Sequence, residues 1–258
     1  MHQIQALSSI AYYTLLEARR TRLPLLLAVA LLLVLALGFF VSELAVIESE
    51  RLRVSFYAAG ARFAGVFIVS AHVLGSITRE FNDKGIDTLL ALDLPRPHYI
   101  LGKLSGVLAI AVMVAAICCL PLMFQVSASA LLQWGVALAL ELSVVAAFSL
   151  FGVMAFGQFI PAAALVLAFY LLARSLTAIQ LISAHPLSGA ATLSHEMGRW
   201  MVDALTWVMP ALDRWPQTAW LVDAPAPWPF FATVLTQALL YIVLLTGAAM
   251  VDFQRRNF

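Results

Sequence analysis

Long apolar stretches dominate the pattern of hydrophobic and polar positions along the chain. Six of them are each about 18 residues or longer, the length at which a helix crosses the hydrocarbon core of a bilayer. We predict spans at about residues 24–42, 57–77, 101–124, 131–156, 161–182 and 229–251. The pattern therefore predicts an all-α, polytopic membrane protein with six transmembrane helices, forming one transmembrane domain over residues 1–258.

Residues 1–22, before the first span, have their own periodicity. One helical face carries Ile4, Leu7, Ala11, Thr14, Leu15 and Ala18, and the opposite face carries Gln5, Ser9, Glu17 and Arg20. This spacing predicts an amphipathic helix that lies along the membrane surface, where its arginines bind lipid headgroups. A simple extension of the first span is the alternative.

Composition agrees with a membrane protein and excludes several other classes. The chain is 63% hydrophobic and 11% charged, with a mean hydropathy of +0.95. Its net charge is +1, and it has no basic run of the kind that binds nucleic acid. Cys118 and Cys119 are adjacent within an apolar stretch, so their spacing indicates neither a disulfide nor a metal site.

The distribution of lysine and arginine predicts the orientation. If the N-terminus is cytosolic, the inner segments hold nine of these residues and the outer segments four, leaving aside Arg62 and Arg174 within the spans. The positive-inside rule then places both termini and residues 79–103 in the cytosol. Residues 185–228 become an extracytoplasmic segment with short helices.

Residues 79–103 form the most charged segment between two spans. Gly85 predicts a break, and Pro95 and Pro97 end any helix that precedes them, so we expect a short helix from about Asp87 to Leu94. A rigid projection of this kind can transmit a push from a cytosolic partner to the spans. An ordinary cytosolic loop is the alternative.

The same segment carries a resemblance to a known family. Glu80, Gly85, Thr88-Leu89-Leu90, Pro95-Arg96 and Tyr99-Ile100-Leu101-Gly102-Lys103 together resemble the signature of ABC transporter permeases of the type-2 exporter family. Residues 207–215 and 253–258 are similar to that family's outer segment before the last span and to its short basic end. Compact permeases for maturation of nitrous oxide reductase are one similar group, beside drug, polysaccharide and pilus-related permeases.

The resemblance implies the transmembrane subunit of an exporter in a bacterial inner membrane. Such a subunit is expected to form a homodimer beside two copies of an ATP-binding cassette subunit, which bind ATP and Mg²⁺. We expect no catalytic residue and no cofactor in this chain, because it lacks the phosphate-binding motif G-x-x-x-x-G-K-[ST]. A periplasmic protein is a further candidate partner. A membrane scaffold or mechanotransmitting subunit that recruits cytosolic partners without transport is the alternative function.

Two sets of residues are candidates for function, and the first is the set expected to contact the ATPase. Exposed charged pairs contribute only about 1 kcal/mol or less each, so we expect apolar residues to share the contact with the ATPase. The residues expected to contact it are Glu17, Arg20, Glu80, Lys84, Asp87, Leu89, Leu90, Leu92 and Arg96.

The second set consists of charged or polar residues within the spans. A charge at bilayer depth costs about 2.5–3.5 kcal/mol on insertion scales, so these side chains should face a partner or a cavity. We predict a translocation path between spans two and five, with His72, Glu141 and Arg174 along it. The alternative is that Glu141 pairs with a neighbouring helix, His72 packs, and Arg62 and Arg174 snorkel outward.

Tryptophan is concentrated in the predicted extracytoplasmic segment. We expect short amphipathic helices at the outer interface, with the indole rings at headgroup depth. Such a segment would form an outer gate or a docking surface, and a simple aromatic belt is the alternative. The residues concerned are Trp200, Trp207, Trp215, Trp220 and Trp228.

Overall fold

A computed structural model describes residues 2–44, 48–83, 96–184 and 193–255. Within these ranges the chain forms helices and turns and contains no strand. The helices are α1 (His2–Arg20), α2 (Leu23–Leu44), α3 (Ser49–Asn82), α4 (Arg96–Cys119), α5 (Ala128–Phe156), α6 (Phe159–Ala184), α7 (Leu193–Val208), α8 (Ala219–Val222) and α9 (Trp228–Arg255). Two 3₁₀ turns cover Leu120–Leu122 and Leu212–Arg214.

Six of the described helices are long and apolar enough to cross a membrane: α2, α3, α4, α5, α6 and α9. The chain is therefore an all-α, polytopic membrane protein, which confirms the predicted fold class. The second predicted span, 57–77, lies within the 34-residue helix α3, which continues beyond it at both ends. The predicted coupling helix between Asp87 and Leu94 lies outside the described residues.

Local sequence signals set several helix ends. The Ser127 hydroxyl accepts a hydrogen bond from the Ala130 N–H at 3.4 Å and caps the start of α5. Gly157 ends the same helix in the left-handed conformation, with φ of 69°, which glycine adopts without a steric penalty. Pro24 and Pro97 are the second residues of α2 and α4, where a missing N–H removes no helical hydrogen bond.

Helix α5 lies at the centre of the bundle and packs against α3, α4, α6 and α9. In its most apolar stretch 78% of the residues are buried, against 22% in α2, which packs on α3 and exposes a row of leucines. These exposed leucine side chains are suited to contact with lipid acyl chains. A polar residue in this buried stretch, such as Glu141, is therefore surrounded by protein.

Helix α1 is a separate element, because the helical conformation is interrupted at Thr21 and Arg22. It packs along α4, where Gly102 and Gly106 allow close approach. A Cβ atom at Gly106 would lie 2.6 Å from the Cβ of Thr14. The alternative of an uninterrupted extension of the first span is wrong.

Candidate functional site

Six polar side chains meet where α1, α3 and α4 come together, and we call them the three-helix cluster. Its centre is Lys103, which is only 2% exposed. The cluster consists of Glu17 from α1, Ser76, Arg79 and Glu80 from α3, and Tyr99 and Lys103 from α4.

Two carboxylates neutralise the buried ammonium group of Lys103. The Nζ atom donates to Glu80 and to the Ser76 hydroxyl at 3.0 Å, and it lies 3.6 Å from Oε2 of Glu17. Glu17 also accepts hydrogen bonds from Ser76 at 2.7 Å and from Arg79 at 3.1 Å. A buried charge with this many partners is compensated, so the cluster holds the three helices together.

Tyr99 connects the cluster to a fourth helix. Its hydroxyl donates to Glu80, and its ring stacks on Phe253 of α9 with ring centroids 5.7 Å apart. An open groove of about 250 Å³ lies beside these contacts, with Ile10, Tyr13 and Thr14 of α1 along one wall. The end of α3 is thus a junction of four helices beside an accessible groove.

The residues predicted to contact an ATPase fall into three groups. Glu17 and Glu80 belong to the three-helix cluster and keep 30% and 28% side-chain exposure. Arg20 is exposed at the end of α1, and Arg96 is the first residue of α4. The remaining ones, Lys84, Asp87, Leu89, Leu90 and Leu92, lie outside the described residues.

Two expectations at this junction need correction. Glu17 does not lie opposite the packing face of α1, because it turns inward toward Ser76 and Lys103. The predicted third span begins at residue 101, which would place Lys103 at the membrane interface, yet its side chain is buried among polar partners. The sequence signal for Lys103 is its position four residues after Tyr99, on the face of α4 that meets Glu80.

A second group of polar side chains lies deep between the spans, and we call it the central cluster. It consists of Arg62 from α3, Glu141 from α5, and Tyr170 and Arg174 from α6. Glu141 is fully buried, and its Oε1 atom lies 3.8 Å from the Arg174 guanidinium. The Tyr170 hydroxyl lies beside this carboxylate, although no described donor is placed well enough to form a regular hydrogen bond with it.

Both arginines donate instead to backbone carbonyls of the segment that follows α7. Arg62 donates to the Pro216 carbonyl at 3.0 Å, and Arg174 donates to the Leu212 carbonyl. Thr177, one turn beyond Arg174, donates to the carboxylate of Asp213. We call residues 209–216 the re-entrant turn.

Helix geometry gives the depth of this turn. Arg62 and Glu141 each lie thirteen residues after the first residue of α3 and of α5. Helix α3 begins before its apolar stretch, residues 57–77, so at a rise of 1.5 Å per residue Arg62 lies about 8 Å inside that stretch, and Glu141 lies about 15 Å inside residues 131–156. Because the hydrocarbon core is about 30 Å thick, the turn reaches into the half of the core nearest α7.

The chain descends to this depth and returns. The Tyr241 hydroxyl, near the middle of α9, donates to the Val208 carbonyl at 2.9 Å at the end of α7. Further along, Asp223 pairs with Arg51 near the start of α3. Non-helical backbone at membrane depth requires hydrogen-bond partners from the protein, and the arginine side chains supply them here.

The tryptophans of this segment divide between two environments. Trp200 and Trp207 are exposed on α7, whereas Trp215 and Trp220 are buried with 1% and 7% exposure. Trp215 lies within the re-entrant turn, and Trp220 packs against aromatic residues at the start of α9, so neither of these two rings is exposed as a belt residue would be.

The predicted path residues are only partly brought together. Glu141 and Arg174 are neighbours, but His72 lies ten residues after Arg62, one turn before Ser76. Its charged neighbours are Glu17, Lys103 and Arg79 of the three-helix cluster. His72 therefore belongs with that junction and not with Glu141.

Spans two and five nevertheless face each other across a cleft of about 160 Å³ between α3 and α6. Its walls are apolar, with Val66 and Leu74 on one side and Val166 on the other. Tyr170 lies at the end nearest the central cluster, and its ring packs edge-on against Phe63. Tyr170 is a member of the site that sequence reasoning missed, since an isolated tyrosine in an apolar span gives no distinguishing signal.

Among the described residues, no group of three or more His, Cys, Asp or Glu side chains could hold a metal ion. No protein-family model matches the chain, and no curated protein matches it.

Proposed function

We propose that this chain is the transmembrane subunit of an ATP-driven ABC exporter in a bacterial inner membrane, with both termini in the cytosol. It would act as a homodimer beside two separate subunits that bind ATP and Mg²⁺. The proposal depends on the resemblance of residues 79–103 to type-2 exporter permeases. The observation that carries it further is the three-helix cluster, which joins the helices on either side of residues 84–95 to α1.

This cluster has the mechanical properties that a coupling site needs. Breaking a buried ion pair by removing one partner costs about 3–5 kcal/mol, so the ends of α1, α3 and α4 should move as one body. Helix α3 has 34 residues, which corresponds to a length of about 50 Å. A push on the segment after Asn82 would therefore be transmitted along α3 to Arg62 and the central cluster.

Co-purification with an ATP-binding cassette subunit tests the proposal. We would express the tagged chain with the ATP-binding protein encoded next to it and measure complex formation and ATP hydrolysis in detergent. Glu80→Lys and Leu89→Asp should abolish the complex. Glu50→Lys is the matched control, because it reverses an exposed charge at the other end of the same helix. A well-folded wild-type chain that forms no complex would contradict the proposal.

A mechanotransmitting subunit that does not transport is the second candidate. It is favoured by one observation: the arginines at membrane depth donate to carbonyls of the chain itself rather than facing an empty path. The two functions differ in their response to Arg174→Ala. A transporter that carries this change should form the ATPase complex normally but fail to complement a strain that lacks the chain. A mechanotransmitting subunit that carries it should form the complex and also complement that strain.

A further inference from the structure

An apolar groove separates the last two spans. Helices α6 and α9 both pack on α5, but among the described helices these two are not closely packed on each other. Between them lies a groove of about 470 Å³, which is within the range of about 300–1,000 Å³ that is typical of ligand pockets. Phe148 of α5 and Phe169 of α6 stack along it, with ring centroids 3.9 Å apart.

Both walls of the groove are continuous helical faces. On each helix the lining residues recur at i, i+3, i+4 and i+7, so each wall is about 10 Å long. The α6 wall consists of Leu165, Ala168, Phe169 and Leu172. The α9 wall consists of Tyr241, Leu244, Leu245 and Ala248. Leu244 is 60% exposed and Ala168 is also exposed, so the groove opens sideways toward the lipid that surrounds the spans.

The depth of the groove shows which leaflet can reach it. Measured from residues 161 and 251, where the apolar stretches end, the two walls cover depths of about 5–15 Å at 1.5 Å per residue. Each half of the hydrocarbon core is about 15 Å thick, so the groove lies in the half next to the end of α9. Val208 and Met209 lie across its deep end, where the Tyr241 hydroxyl donates to the Val208 carbonyl at 2.9 Å. An acyl chain can therefore enter from the leaflet at the end of α9.

A basic side chain lies beyond the open end of the groove. Arg255 follows Leu244 by eleven residues and Ala248 by seven, and both spacings return to the same helical face. It lies about 10 Å beyond Ala248 along α9, and it is exposed, whereas Asp252 is half-buried. An arginine near the membrane surface favours an anionic lipid about fivefold. The apolar groove and the guanidinium are thus arranged like the acyl chain and the headgroup of one lipid.

We propose that the groove between α6 and α9 binds an acyl chain of an anionic phospholipid whose headgroup pairs with Arg255. A helix with a diameter of about 10 Å would occupy roughly 800 Å³ over the same length, which is more than the groove holds. An acyl chain is much thinner. Lipid tails are as apolar as leucine, so dispersion contacts in the groove retain the chain, and Arg255 selects the headgroup. The site needs no ATP-binding subunit, so its test is independent of the proposed transport function.

Photo-crosslinking in vesicles tests the proposal. The full chain is reconstituted in phosphatidylcholine that contains a small fraction of phosphatidylglycerol with a diazirine in the middle of one acyl chain. After illumination, the crosslinked peptides are mapped by mass spectrometry. We expect crosslinks on both walls, at residues 165–172 and 241–248, in excess over those at Leu33, which is exposed on α2. Equal crosslinking at Leu33 and at the walls would indicate unselective contact with the bilayer and would overturn the proposal.

Filling the groove should displace the chain. Ala168→Phe and Ala248→Phe each place a ring in the groove from one of its two walls, and each should remove most of the crosslinking on the opposite wall. Val243→Phe is the matched control, because Val243 is 69% exposed on α9 and lies outside the groove. Wall crosslinking that neither alanine variant reduces would also contradict the proposal.

A phosphatidylcholine probe with the same diazirine tests the headgroup in the wild-type protein. The phosphatidylglycerol probe should label the walls about fivefold more strongly, and Arg255→Gln should remove most of this difference. Arg19→Gln, which neutralises an exposed arginine of α1, should preserve it. Equal labelling by the two probes would overturn the proposal. A disulfide between two copies that carry Leu244→Cys would do so as well, because it would show that a second copy covers the groove.

Discussion

Replacing Lys103 by methionine should destabilise the junction of α1, α3 and α4 more than any exposed substitution. Methionine keeps the length of the side chain but removes the ammonium group that lies between Glu17 and Glu80. Removing one partner of a buried ion pair costs about 3–5 kcal/mol. Because the two carboxylates keep 30% and 28% exposure, water screens part of the remaining repulsion, and we expect about 3 kcal/mol.

The assay is the free energy of unfolding in detergent micelles, followed by circular dichroism during denaturant titration. Amide hydrogen exchange across α1 gives a local readout, because the helix should lose protection when the ion pair between Glu17 and Lys103 is lost. Arg79→Met is a useful comparison. Its guanidinium also bonds Glu17, but it is 60% exposed, so its loss should cost about 1 kcal/mol or less.

A compensated variant separates charge from packing. The triple change Lys103→Met, Glu17→Gln and Glu80→Gln removes the lysine and both carboxylates, and replacing a whole buried ion pair is often close to neutral. It should recover most of the stability that Lys103→Met loses. The reasoning would be refuted if Lys103→Met cost less than about 1 kcal/mol, or if the triple variant were no more stable than the single one.

The remaining predictions concern packing. Gly106→Ala should cost about 1–3 kcal/mol in unfolding measurements, because its Cβ would lie 2.6 Å from that of Thr14, whereas Gly75→Ala, with no atom within 4 Å, should be neutral or slightly stabilising. Leu142→Ala on the buried face of α5 should cost about 2–5 kcal/mol. Leu33→Ala, 59% exposed on α2, should cost well under half as much, and equal effects of the two would contradict the described packing.

The six spans could be predicted because each depends on a property of its own stretch of sequence. An apolar run of sufficient length must cross the bilayer as a helix, since its backbone groups have no other partners there. The residues at which the spans end were less predictable. Hydropathy ends the second span where charges begin, but α3 continues through Arg79 and Glu80 because the three-helix cluster pairs them.

The contacts of the candidate site join residues that are far apart in the sequence, so the site was only partly predictable. Charges within apolar spans drew attention to Glu141 and Arg174, which are neighbours in the structure, but no local rule indicates that a carbonyl 38 residues beyond Arg174 accepts its hydrogen bond. Glu17 illustrates a different error. It lies three residues after Thr14 and beside Ala18, which is the spacing of the packing face, and only its charge suggested the opposite side.

The two polar clusters are connected by a single rigid element. Helix α3 carries Glu80 at one end and Arg62 about 27 Å away along its axis, at 1.5 Å per residue. A displacement of the three-helix cluster would therefore also displace the donor to the Pro216 carbonyl. Arg174 lies on a different helix, α6, and would not follow that movement directly. Relative motion of α3 and α6 would strain the hydrogen bonds that Arg62 and Arg174 donate to the re-entrant turn, and it would change the width of the cleft between the two helices. Release of the re-entrant turn and widening of the cleft would then be consequences of one movement.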